Sequence, residues 1–252
     1  MCMNIPKWLA GLILLSLALL HAATLDPSII HQWTLNETSG TTAYDFVGGW
    51  NFQLNRGATL GAPAIEGTGI ALNGANGYLL ARGGDVSFLE SNFTITLWVL
   101  YNTFAGKPGL LQMGDSASVF VGVDLSYADV QPDLEASKIA PINSTPSLND
   151  GKWHLLSIVR SGSLATMYLD FTPVQSVADT EQGSTAPGFF YLGLNDATHF
   201  FGGTVDDVTI YDRALSQSEI AAQAVPEPGG AGLLGLGVAA WLRRPRKIPT
   251  AT

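Results

Sequence analysis

Phe201-Gly-Gly-Thr-Val-Asp-Asp-Val-Thr-Ile-Tyr-Asp-Arg-Ala-Leu-Ser216 is the stretch whose reading decides the fold. From Thr204 to Tyr211, β-branched and aromatic residues recur at period two, the mark of a strand with one face against a core. Strict alternation puts Asp206 on the side of Val208 and Ile210, and Asp207 on the side of Val205 and Thr209. At least one carboxylate then lies among apolar side chains and needs a partner. The partner is a bound cation, a set of backbone N–H groups, or Arg213. The stretch ends at the start of the only segment with helical character, residues 216–224. Ser216 is its N-cap, Glu219 holds the capping-box position, Ile220 supplies an apolar contact, and Pro226 stops it.

Outward from this strand the pattern repeats. Short runs rich in Val, Ile, Thr, Tyr and Phe are separated by Gly, Asn, Asp and Pro. They predict strands over 31–35, 51–54, 69–72, 77–81, 93–100, 109–113, 118–124, 155–159, 166–171 and 189–194, besides 204–211. Asn73-Gly74, Asn76-Gly77 and Ser161-Gly162 supply residues that tolerate positive φ where hairpins turn. Residues 128–149, with three prolines, read as a long loop carrying one weak strand. About a dozen strands in one unit predict an all-β, two-sheet antiparallel sandwich.

The ends differ from this middle. Residues 1–23 have one basic residue, Lys7, an apolar run and the small pair Ala22-Ala23, the layout of a secretory signal peptide; an uncleaved N-terminal anchor is the other reading. The only cysteine, Cys2, lies in this segment, so the exported chain has no disulfide and rests on core size or a bound metal. Between Thr24 and Val225, 7 Lys and Arg stand against 20 Asp and Glu, a balance near −13. Such a domain repels phosphate backbones and anionic lipid, so nucleic acid is excluded as a partner and bound cations are favoured.

Four separated pieces, taken together, resemble the concanavalin A-like, laminin G-like jelly-roll family. They are Gly69-Ile-Ala-Leu-Asn-Gly, Phe93-Thr-Ile-Thr-Leu-Trp-Val, Gly151-Lys-Trp-His-Leu-Leu-Ser-Ile-Val-Arg with Tyr168-Leu-Asp, and the stretch 201–216. Where that family has Asp-Gly after the tyrosine strand, this chain has Asp170-Phe171, which implies a differently shaped turn. The resemblance implies a jelly-roll domain over 24–224. It also implies one structural calcium ion held by acidic residues near the two chain ends, at Asp206, Asp207 and the early Asp45. Calcium takes about six to eight oxygens, so backbone carbonyls would have to complete the set.

Trp98, Trp153 and His154 are read as filling the space between the sheets. Sugar stacking is assigned instead to the loop aromatics Tyr101, Phe104, Tyr127 and Phe200. No catalytic residues are assigned. The strands lack the paired carboxylates of polysaccharide-cleaving jelly rolls, and no nucleophile elbow, zinc helix or Cys/His cluster occurs. The match of Gly230-Ala-Gly-Leu-Leu-Gly235 to a dinucleotide-binding pattern has no strand before it and carries nothing. The reading is therefore a non-catalytic module that binds glycan or matrix polymer. The alternatives are a purely structural surface protein and a polysaccharide-cleaving enzyme.

The tail joins Val225-Pro226-Glu227-Pro228, an apolar run over 231–242, and the basic cluster Arg243, Arg244, Arg246 and Lys247. As a helix the run reaches about 18 Å at ~1.5 Å per residue, against a hydrocarbon core of ~30 Å. Cations after the run hold that end in the cytoplasm and leave the domain outside. Residues 225–247 resemble the PEP-CTERM sorting signal of Gram-negative bacteria that make extracellular polysaccharide. The resemblance implies export by the secretion machinery and a transient inner-membrane stage. Processing by an exosortase at the Pro-Glu-Pro motif then delivers the chain to the cell surface or matrix. An ordinary short C-terminal anchor is the other reading.

Overall fold

The computed structural model describes residues 25–103, 109–114, 119–125, 132–135, 148, 150–178, 187–195 and 199–223. In chain order the first strands are β1 (Ile29–Trp33), β2 (Thr42–Ala43), β3 (Phe52–Asn55), β4 (Ala58–Pro63), β5 (Thr68–Asn73) and β6 (Tyr78–Gly84). A single 3-10 turn at Ser87–Glu90 leads into β7 (Phe93–Thr103), β8 (Gly109–Gly114), β9 (Val119–Leu125) and β10 (Pro132–Glu135). Then follow β11 (Trp153–Ser161), β12 (Leu164–Leu169), β13 (Thr172–Ala178), β14 (Gly188–Leu192), β15 (Leu194–Asn195), β16 (His199–Phe200) and β17 (Gly202–Tyr211). One helix, α1 (Gln217–Ala222), closes the described chain.

These strands make the two-sheet antiparallel sandwich expected from the sequence. The first sheet runs β13-β12-β11-β7-β17-β5-β4, with β1 beside the second half of β17. The second runs β10-β9-β8-β14-β6-β3-β2, with β16 pairing β8 and β15 pairing β16. The long central strands β7, β11 and β17 were legible from their alternation. Strands β4 and β13 were not: Gly61 and Pro63 interrupt the first, and Pro173 lies in the second, which forms a sheet edge where a missing N–H is tolerated.

Alternation decides what each strand buries. On β7, Phe93, Ile95, Leu97, Val99 and Tyr101 enter the core between the sheets, while Thr94, Thr96 and Trp98 take the outer face. Aromatic rings gather around Trp33 in the core. Its ring lies 4.8 Å from Phe52 and 5.8 Å from Phe190, both on the second sheet, so this residue of β1 ties the two layers together. Its Nε1–H donates to the Trp50 carbonyl at 3.0 Å.

The expected caps and turns form. Ser216 and Glu219 make the reciprocal capping box, and Ile220 is buried. Gly74 and Gly162 have φ of 66° and 63°. Asp170 and Phe171 make the tyrosine-strand turn without glycine, at φ of 47° and 71°. The Asp170 carboxylate secures it by accepting from Leu155 N–H at 3.1 Å and contacting His154 Nδ1 at 2.7 Å.

Candidate functional site

The central feature is a β-bulge in β17. Asp206 pairs with Trp98 and Thr209 with Thr96, so Asp207 and Val208 together oppose a single residue of β7. Asp207 takes the left-handed conformation this demands, with φ of 44°. The bulge corrects the strict alternation expected from the sequence. Val205, Val208 and Ile210 all belong to the core, while Asp207 and Thr209 face outward.

Outside the first sheet this opens a groove of about 400 Å³. Its floor is Thr96 and Trp98 of β7, Thr209 and Tyr211 of β17, and Leu155 of β11. Gln32, Thr34 and Asn36 form one wall, Glu66 and Asp207 another, and Gln223 closes the end after α1. Gln223 also donates to the Tyr211 hydroxyl at 3.2 Å. Trp98 is thus an outward-facing groove residue, not a filler between the sheets, because it has the same parity on β7 as Thr96. The turn that carries Glu66 is held on both sides. Its own N–H donates to Asp206 Oδ2 at 3.3 Å, and Thr68 N–H donates to Asn36 Oδ1 at 2.7 Å.

Asp206 is fully buried behind this turn. It is satisfied by backbone, accepting from Glu66 N–H and, at 3.0 Å, from Asp207 N–H. Arg213 is engaged elsewhere, with Asp26 at 2.6 Å and Glu219 at 2.7 Å. Burial, with the Asp207 charge beside it, pushes the Asp206 carboxyl up to about 7. Burial and the nearby Glu66 charge push Asp207 up to about 6.

The sign of the resulting pH dependence follows from linkage. Both carboxyls hold protons in the folded state that the unfolded chain releases near pH 4, so their contribution is full below that value and is lost as pH rises through about 6 and 7. The melting temperature is expected to fall between about pH 5 and pH 8, and Asp206→Asn should flatten that fall. A melting temperature that rises over this window would contradict the assignment.

Asp45 stands apart from the other two carboxylates. Its Oδ1 accepts from the backbone N–H groups of Gln32, Val47 and Gly48 at 2.9–3.1 Å. Its Oδ2 accepts from Trp50 N–H at 2.8 Å and lies 2.7 Å from His31 Nδ1. These donors hold its carboxyl far below the usual range despite burial. Among the described residues, no three His, Cys, Asp or Glu side chains gather as a metal-holding group. Of the expected trio, Asp45 therefore stands apart from Asp206 and Asp207, its oxygens already accepting from its own loop.

The aromatics assigned to sugar contact divide. Tyr101 is a correction: it is 3% exposed, packs on Phe201 with centroids 5.8 Å apart, and its hydroxyl is pushed up to about 12 by burial. Phe200 reaches the outer face of the second sheet, 6.3 Å from Tyr78. Phe104 and Tyr127 lie outside the described residues, as do the signal segment, Val225 to Pro228 and the basic cluster.

The model of the concanavalin A-like lectin/glucanases superfamily matches residues 73–221, which hold the bulged strand and the whole groove floor. The chain belongs to this superfamily. No curated protein matches it by sequence. Among solved structures, the superfamily chain is similar to Trypanosoma rangeli sialidase, at 20% identity and TM-score 0.64 over 79% of this chain and 33% of that one. It is also similar to domain 4 of AbnA, a GH43 extracellular arabinanase from Geobacillus stearothermophilus, in complex with arabinotriose. That match has 17% identity and TM-score 0.59 over 79% of this chain and 98% of the domain. A third similarity, to the binding domain of Paraclostridial Mosquitocidal Protein 1, has 16% identity and TM-score 0.55 over 78% of this chain and 51% of that one. The chain spans about a third of the length of the sialidase, and likenesses at these identities establish the fold.

Proposed function

We propose that the chain is a non-catalytic glycan-binding module, exported and delivered to the cell surface or matrix by an exosortase that acts at Val225 to Pro228. The observation that carries the binding reading is the groove. One indole face, Trp98, lies among side-chain amides, hydroxyls and two carboxylates that converge from five separate segments. Such a lining offers an apolar plate for the C–H face of a sugar and many hydrogen-bond partners for its hydroxyls. The superfamily and the arabinotriose-bound neighbour support the ligand class.

A second reading is favoured by one observation. Asp207, whose carboxyl is raised by burial, and Glu66 share the groove, and a pair of carboxyls in one cleft is the equipment of glycoside hydrolysis. A glycan array probed with the full chain, followed by assay of reducing-sugar release from each polymer that binds, separates the readings. Binding without release, weakened about tenfold or more in Trp98→Ala, is expected. Release that disappears in Asp207→Asn would establish the enzyme instead. Silence on the array would leave the structural reading standing and remove the binding one.

A further inference from the structure

Glu66 and Asp207 are the charged residues of the groove, and no Lys, Arg or His lines it among the described residues. Neither carboxylate accepts a hydrogen bond or forms an ion pair among the described residues, whereas Asp45, Asp150 and Asp170 all do. Burial, and then the charge of Glu66, holds the Asp207 carboxyl up at about 6. Arg213, two residues past the floor residue Tyr211, is occupied by Asp26 and Glu219. The domain itself therefore supplies no cation to this wall.

The floor adds a second set of unused acceptors. Thr96 and Thr209 are 2% and 7% exposed and are paired in register across β7 and β17. Neither hydroxyl has a hydrogen-bond partner among the described residues, although so buried a hydroxyl ordinarily has one. Both threonines line the groove beside the Trp98 indole and Leu155. Carboxylates, hydroxyl oxygens and an indole in one cavity fit an organic ammonium group. Its N–H donors go to the oxygens, its charge to the carboxylates and the ring, and its carbon skeleton to the apolar part of the floor. A bare metal ion would use the oxygens alone, and calcium takes about six to eight of them.

We propose that the groove selects a ligand bearing a protonated primary amine, seated beside Glu66, Asp207 and Trp98 with the Thr96 and Thr209 hydroxyls as further acceptors. The inference rests on the glycan reading for the carrier of that amine. With that carrier, the ligand is an amino sugar with its nitrogen free, and neutral, acetylated or acidic sugars are disfavoured.

The test is titration calorimetry of the full chain with glucosamine oligomers, N-acetylglucosamine oligomers of the same length, and spermidine, an amine without a sugar, at a pH where the amines are protonated. The glucosamine oligomers are expected to bind about tenfold or more tighter than the acetylated ones, and spermidine to compete with them. Glu66→Gln and Asp207→Asn should each remove most of that preference. Glu66 is exposed, so its variant folds whether or not the proposal holds, and asparagine tolerates the left-handed backbone at position 207. Equal affinity for aminated and acetylated oligomers would overturn the inference and leave the glycan reading standing. Competition-site binding of spermidine, lost in Glu66→Gln, with no oligomer bound would uphold the amine site and remove the glycan reading. No binding of either amine, or a preference unchanged in both variants, would overturn the inference.

Discussion

Trp33→Ala is expected to destabilise the domain by about 3–5 kcal/mol and to lower its melting temperature by roughly 10 °C or more. The side chain is fully buried and touches both sheets, with Phe52 and Phe190 on one side and the His31 ring stacked 5.5 Å away on its own strand. Truncation leaves a cavity that the pleated layers cannot close, and the indole hydrogen bond to Trp50 is lost as well. Thermal or urea unfolding of the variant measures the effect. The loss should exceed that of Phe201→Ala, whose ring packs on one aromatic neighbour among the described residues, Tyr101. A loss below about 1 kcal/mol would show that β1 is not clamped between the layers as described.

Asp45→Ala is expected to cost about as much, although its side chain contributes almost no apolar area. The carboxylate accepts from four backbone N–H groups and contacts His31, so its removal strands several donors at once. Asp45→Asn should restore little, because an amide nitrogen would replace one acceptor and face N–H groups. The site's pH signature distinguishes it from the groove. A depressed carboxyl contributes stability above the unfolded carboxylate range and loses it as pH falls toward its folded value. Native stability should therefore drop in acid, and this acid-side drop should be smaller in Asp45→Asn. An unchanged acid limb would contradict the role given to Asp45. The same lock fixes Tyr44, Phe46 and Val47 at the surface, where Phe46 is 66% exposed.

The strands written in clean alternation could be read from the sequence, and so could the capping box at Ser216. The same alternation also contained two side-chain placements that were misread. Counting by twos from Phe93 puts Tyr101 in the core and Trp98 on the outer face, where the structure has them. The bulge at Asp206 and Asp207 was not legible, because one inserted residue reverses the inward and outward assignment on one side of it. The groove was not legible either. Its members run from Gln32 to Gln223 and meet only through the crossover order β11-β7-β17 with β1 alongside. Glu66 sits in a turn with no local sign of its role and is placed by a hydrogen bond to a residue 140 positions away. Tyr78 and Tyr191 become neighbours only because β14 pairs with β6.

The two outer faces give the sandwich different chemistry. The first sheet offers a polar groove with a single indole. The second presents the rings of Phe189, Tyr191, Tyr78 and Phe200.

The groove is the centre of the account, and the most direct measurement is a crystal structure of the chain with an oligosaccharide identified on the array. The account predicts a sugar ring stacked on Trp98, with hydroxyls within hydrogen-bond reach of Gln32, Asn36, Glu66 or Asp207. An oligosaccharide bound only elsewhere, with the groove holding no sugar, would contradict it.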